Sequence, residues 1–267
     1  MDGPEAAVRQ TYTYGASTLT QTVTLGAGSR RVDLVTEVDW AETGRMLRTS
    51  FPLAVHASEV TCEIQFGAVK RPTHRNTSWD VARDEICAHK WVDLSERGWG
   101  VALLNDCKYG HKAQGNVLDL NLLRSPSWPD PRADRGKHAF TYSLYPHLGD
   151  WAEGCVVRAA YELNVPLRVT SVNPGGGARP HSGSLLSVSA PNVIVESAKQ
   201  AEDGSGVVVR LYEAHGATAT ATLEADLGYA SASLVDLMEE HPEPLNGTDG
   251  KWPVALTPFQ IRTVRLA

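Results

Sequence analysis

The stretch Arg30 to Trp40, "RRVDLVTEVDW", decides the fold class. Val32, Leu34, Val38 and Trp40 fall on one face of an extended chain, while Arg31, Asp33, Glu37 and Asp39 fall on the other. A period of two residues is that of a strand with one face buried and one in water. Just upstream, "TLTQTVTL" places Leu19, Val23 and Leu25 on one side before Gly26 and Gly28 break the pattern. The two segments therefore read as a hairpin with a glycine-rich turn. Further along, "TCEIQF" repeats the device, with Cys62, Ile64 and Phe66 expected inward and Glu63 and Gln65 outward. "GVALLN" is a continuous apolar run, as expected of a strand covered on both faces. "VLDLNLL" and "AFTYSLY" return to alternation.

One segment departs from this period. "DWAEGCVVRAAYELNVP" spaces Ala152, Cys155, Val156, Ala159, Ala160 and Leu163 as on a helix. Asp150 with Glu153 resembles a capping box, and Pro166 ends the run. One short helix is expected here. "NPGGGARPHSGS", residues 173–184, is the sharpest break in composition and is expected to be a linker. Beyond it, "VIVESA", "GVVVRLYE", "TATATLEA", "SASLVDL" and "QIRTVRLA" are short strands at sandwich spacing. The expected architecture is all-β: a large twisted antiparallel sandwich over residues 1–172, then a small β-sandwich over residues 185–267.

The totals exclude several classes of function. The 267 residues with 42% hydrophobic content suffice for a large core and a smaller second one. A net charge of −6 argues against nucleic-acid partners, which require a basic patch. No apolar run approaches the length of a membrane helix or a signal peptide. Cys62, Cys87, Cys107 and Cys155 show no metal-ligand spacing, and reduced thiols in a cytoplasmic protein are expected.

Polar residues gather between the strands. "HRNTSWD", residues 74–80, is the densest of these clusters, followed by "HKW", "NDCKYGH" and "LLRSPSWPDPRADRGKH". Trp79, Trp91, Tyr109 and Trp128 sit among them. Aromatic faces beside hydrogen-bonding side chains suit a sugar ring. The same Asn, Asp, Ser and Arg residues can equally brace long loops through backbone hydrogen bonds. Asp80, Asp84, Glu85, Asp106, Asp130 and Asp134 supply carboxylates, but glycoside hydrolysis needs two at a set separation, which spacing in sequence does not give. His74, His89, His111 and His138 form no tight metal-ligand motif. There is neither a nucleophile elbow nor a phosphate-binding glycine loop.

Four long stretches, residues 63–85, 91–110, 115–151 and 158–167, strongly resemble the C-terminal half of the α-mannosidases of glycoside hydrolase family 38, of bacterial and cytosolic type. Residues 206–227 and 258–266 resemble that family's terminal small β-domain. The resemblance implies a supersandwich similar to that of galactose mutarotases. It also implies that the nucleophile and the zinc belong to a catalytic domain whose H-x-D motif is not found here, so that no residue of this chain is expected to be catalytic or to bind metal. That catalytic domain, in cis or in trans, is an expected partner, together with an α-mannoside or other carbohydrate, and a homo-oligomer is a further possibility. By the same resemblance Arg124 and Ser125 correspond to a sugar-lining position, with Asp106 and Tyr109 in the neighbouring loop. His74, Arg75, Asn76, Trp79 and Asp80 then brace a loop facing the catalytic domain or its pocket. Two alternatives stay open: a stand-alone carbohydrate-binding protein, and a mutarotase-like sugar epimerase pairing His74, His89 or His138 with Glu85 or Asp106.

Overall fold

The computed structural model describes residues 5–173 and 182–267. Most of the expected linker, residues 174–181, therefore lies outside the described residues. The chain divides into two compact units: residues 1–64 with 69–167, and residues 65–68 with 168–267.

The first unit opens with β1 (Glu5–Tyr14), β2 (Ser17–Gly26), β3 (Val32–Trp40), β4 (Leu47–Pro52), β5 (Glu59–Ile64) and β6 (Gly67–Pro72). A five-residue helix, α1 (Ser78–Ala82), and β7 (Ile86–Cys87) follow. Then come β8 (Trp91–Glu96), β9 (Trp99–Asn105), β10 (Gly110–Gln114), β11 (Val117–Leu123), β12 (Gly136–Leu148) and α2 (Val156–Asn164). An eight-stranded sheet in the order β1-β2-β3-β12-β9-β8-β5-β6 faces a four-stranded sheet in the order β4-β11-β10-β7. Leu34, Val38 and Leu103 of the large sheet share one buried core with Leu118 and Leu120 of the small one. The alternation of β3 is realised: Leu34, Val38 and Trp40 are buried and Val35, Glu37 and Asp39 are exposed. β9 is buried along nearly its whole length because α2 covers the face turned away from that core.

The second unit contains β13 (Leu186–Val188), β14 (Val193–Gln200), β15 (Val207–Glu213), β16 (Ala219–Ala225), β17 (Ala232–Val235), β18 (Glu243–Leu245), β19 (Lys251–Leu256) and β20 (Ile261–Leu266). Three strands, β13-β16-β19, and five, β14-β15-β20-β17-β18, enclose Leu211, Leu223, Trp252, Val254 and Val264. Glu213, at the end of β15, is fully buried. Its carboxylate accepts the backbone N–H groups of His215, Gly216, Ala217 and Phe259 and the Asn192 side-chain amide. It thereby ties the β15–β16 turn to the approach of β20.

Several expectations are corrected. Glu63 does not point to water. It is buried, accepts the Lys90 backbone N–H and pairs with the Lys90 ammonium at 2.8 Å. Phe66 does not join the first core; it belongs to the second unit and packs edge-on against Tyr212. Two short helices are present among the described residues, not one, because Thr77 and Asp80 close a capping box that turns "TSWDVA" into α1. The expected box at Asp150 forms too, with Asp150 Oδ1 accepting the Glu153 N–H and Glu153 Oε2 accepting the Asp150 N–H. It closes the turn ahead of α2, so Cys155 is an exposed left-handed N-cap and not a buried helical position. β1 was not anticipated: its residues are all exposed and carry no burial signal.

Two outcomes follow from buried titratable groups. Burial pushes the His111 ring down to about 4, with backbone acceptors at Lys108 and Asp119 pulling weakly the other way. The unfolded chain therefore takes up a proton first, and stability is whole above about 6.5 and is lost as pH falls towards 4. His111→Leu should flatten that fall in the first unit's melting temperature. For Glu213, burial raises the carboxyl pKa, but the N–H groups of Phe259, His215 and Ala217 and the Asn192 amide outweigh it and leave the pKa below the usual value. Glu213→Gln should cost about 2 kcal/mol near neutral pH. The gap should close as pH drops below the ordinary carboxylate range, where the wild-type advantage is protonated away.

Candidate functional site

Polar groups come together on two surfaces of the first unit. The first lies where β11 runs out. Arg124 is exposed, and its backbone N–H and that of Ser125 both donate to Asp134 Oδ2, at 2.9 and 2.8 Å. Ser125 is fully buried in the left-handed region, with φ of 49°. Its hydroxyl accepts the Trp40 indole N–H and its carbonyl accepts the Gly44 N–H. Ser125 therefore anchors the backbone beside Arg124 and offers no group to solvent. The hydrogen bonds from Ser125, opposed by partial burial and helped by Arg124, His138 and Lys108, hold the Asp134 carboxyl below its usual range.

The neighbouring loop is pinned to β12. The Asp106 carboxylate accepts the Thr141 N–H of β12 at 2.8 Å. Asn105 Oδ1 accepts the N–H groups of Cys107 and Lys108. Tyr109 is half exposed, its ring 5.1 Å from that of His89. β12 thus gathers the Asp106 loop, through Thr141, and the Asp134 loop, through the His138 ring on the Asp134 carbonyl at 2.7 Å. Partial desolvation of this otherwise exposed residue and the Asp106 carboxylate push the Cys107 thiol up to about 11, which makes it a poor nucleophile. Among the described residues, neither the Arg124 guanidinium nor the Tyr109 hydroxyl takes part in a hydrogen bond of the fold.

The second surface is the outer face of the four-stranded sheet. Alternation along β11 turns Leu118 and Leu120 inward and Asp119 and Asn121 outward. Arg48 joins Asp119 at 3.2 Å and Glu85, and Ser50 donates to Asp119 at 2.5 Å. Lys112 and Arg75 both pair with Asp84. His74 lies 3.5 Å from Asp80, whose carboxyl is lowered by the hydrogen bond with Thr77. Ser50, His74, Arg75, Lys112 and Asp119 line an open cleft of about 680 Å³. Arg48, Lys112 and Asp119 were not singled out from the sequence. The signal was present in the outward positions of "VLDLNLL" facing the polar positions of "LRTSF".

The candidate aromatics separate. Trp79 and Trp128 are exposed, whereas Trp91 is buried and stacks on Trp151 at 5.2 Å. The histidine–acid pairings of an epimerase are not formed among the described residues. Glu85 is taken by Arg48 and Asn121, Asp106 by Thr141, and His138 by the Asp134 carbonyl. The described group best placed to hold a metal is Asp236, Glu240 and His241, exposed in the second unit. Asp236 already accepts two backbone N–H groups and the His241 ring. These residues brace a loop and do not fit a zinc centre that must also reach a sugar.

The fold and these surfaces define a class: two β-sandwich units, the first carrying a polar rim whose described carboxylates are engaged by cations and backbone N–H groups. The comparisons narrow it. A profile of the glycosyl hydrolases family 38 C-terminal domain matches residues 1–132. One of the family's C-terminal beta sandwich domain matches residues 192–264. The chain belongs to glycosyl hydrolase family 38, as its C-terminal β-domain portion. It is 46% identical to alpha-mannosidase 2C1 of Homo sapiens over 94% of its length and 36% identical to an alpha-mannosidase of Saccharomyces cerevisiae over 93%. It spans about a quarter of each of those relatives, 24% and 25%. The crystal structure of an alpha-mannosidase from Enterococcus faecalis superposes with a TM-score of 0.79 at 18% identity, over 94% of this chain and 29% of that one.

Replacing Asp134 by Ala should strand the buried Ser125 N–H and cost about 2 kcal/mol. Asp134→Asn, which keeps an acceptor oxygen, should recover most of it in thermal unfolding.

Proposed function

We propose that this chain forms the β-domain wall of an α-mannoside hydrolase, and that Arg124 and Tyr109 touch the sugar at the pocket edge. Asp106 and Ser125 hold the two loops that carry them. The nucleophile, the acid and the zinc come from another stretch of polypeptide, in cis or in trans; when bound, zinc would supply contacts to sugar hydroxyls beside the scissile bond. "HRNTSWD" and the ion-paired sheet face behind it serve as the rigid surface towards that stretch.

One observation carries this reading: the carboxylates of both surfaces are already engaged. Asp106 and Asp134 accept backbone N–H groups, and Asp84, Glu85 and Asp119 meet cations. An acid committed in this way is poorly placed to shuttle protons, whereas the uncommitted guanidinium of Arg124 can donate to hydroxyls. A cytoplasmic setting is part of the proposal, supported by three exposed free thiols, Cys87, Cys107 and Cys155. Among the described residues no helix is long and apolar enough to cross a membrane.

The purified chain should not hydrolyse an aryl α-mannoside with or without added zinc, and sustained turnover would overturn the proposal. In the complete polypeptide, Arg124→Ala should raise KM about tenfold, the loss expected of one charge-assisted hydrogen bond. An unchanged KM would remove Arg124 from the pocket.

A further inference from the structure

Asn105, the last residue of β9, is buried, and each of its polar groups has a partner. Its backbone N–H donates to the Lys90 carbonyl at 3.0 Å, and its carbonyl accepts the Asn164 side-chain amide of α2, also at 3.0 Å. Its side-chain oxygen accepts the N–H groups of Cys107 and Lys108 at 3.1 and 2.6 Å. Its side-chain N–H₂ donates to the His89 carbonyl at 2.8 Å. The amide can stand only this way round, since turning it over would set N–H₂ against two N–H groups.

We infer, on the reading of Tyr109 as a sugar contact, that Asn105 is a positioning residue for that contact: it sets where the Tyr109 ring stands at the pocket edge. Tyr109 is held from two directions, and Asn105 reaches both. On the chain side Lys108 directly precedes Tyr109, and its N–H makes the shorter of the two bonds to the Asn105 oxygen. On the ring side Tyr109 lies 5.1 Å from the ring of His89, whose carbonyl takes the Asn105 N–H₂. The Tyr109 carbonyl accepts the Ala88 N–H at 3.2 Å, which laces the two segments together a second time. α2 adds a brace from behind, through Asn164.

A short primary amide is what this place requires. Aspartate would accept the two N–H groups but has no hydrogen for the His89 carbonyl, and leucine offers neither function. Accepting N–H groups two and three positions further on is the Asx arrangement, which glutamine, longer by a methylene, does not reproduce. Without these bonds Tyr109 would sample many positions. Only a fraction of molecules would present it correctly, and apparent affinity falls by that fraction.

The test is a double-mutant cycle in the complete polypeptide, with an aryl α-mannoside as substrate. Tyr109→Ala should raise KM about tenfold, and Asn105→Leu about fivefold, each with kcat changed by no more than about twofold. Asn105→Ser, whose hydroxyl can accept the same N–H groups, should recover part of the loss. In a Tyr109→Ala background, Asn105→Leu should add nothing to KM while still lowering the melting temperature. A wild-type KM in Asn105→Leu, or an equal rise with and without Tyr109, would overturn the inference and leave the Tyr109 contact standing. A wild-type KM in Tyr109→Ala would remove the contact and the inference together. Should Asn105→Leu not fold, hydrogen exchange on the wild-type protein decides: the Cys107 and Lys108 amides should be protected, and exchange at the rate of an open loop would overturn the inference.

Discussion

The structure depends on carboxylates that accept backbone N–H groups. A β-sandwich settles its own backbone in the sheet ladders, but the loops between its strands have no such ladder. Here an acidic side chain repeatedly fills that role. Asp134 holds the Arg124–Ser125 turn, Asp106 ties its loop to Thr141, Asp80 closes α1, and Glu213 gathers four N–H groups in the second unit. Each such bond fixes the acid in place, and at Asp134, Asp80 and Glu213 it holds the carboxyl below its usual range, the opposite of what proton transfer requires. Loops held in this way form a rigid surface.

The same order runs through both units. The buried cores set the strands, the strands set the loop ends, and the loops present cations and aromatics. Along β11 the ion-paired face is a product of alternation: outward Asp119 and Asn121 alternate with buried Leu118, Leu120 and Leu122.

The sheet architecture was legible because burial writes a two-residue period into the chain. β3, β11 and the small sandwich were readable for that reason, as was α2 from its 3.6-residue spacing. Legibility failed where burial and pattern part. β1 has no buried face and left no signal, and Glu63 is buried because Lys90, distant in sequence, neutralises it. The turn ahead of α2 mimics a helix start because the same box closes both. At the candidate site, residue types were visible but not their commitments. Ser125 looked like a ligand-facing hydroxyl until Trp40, far upstream in the chain, claimed it.

The locking of Ser125 has one more consequence. Ordering a loop around a guest costs conformational entropy, and that cost is subtracted from affinity. At Arg124 the main chain is clamped before any guest arrives, by Asp134 on one side and by the buried Ser125 on the other. Only the torsions of the arginine itself remain to be frozen, so the residue is preorganised at its base and free at its tip.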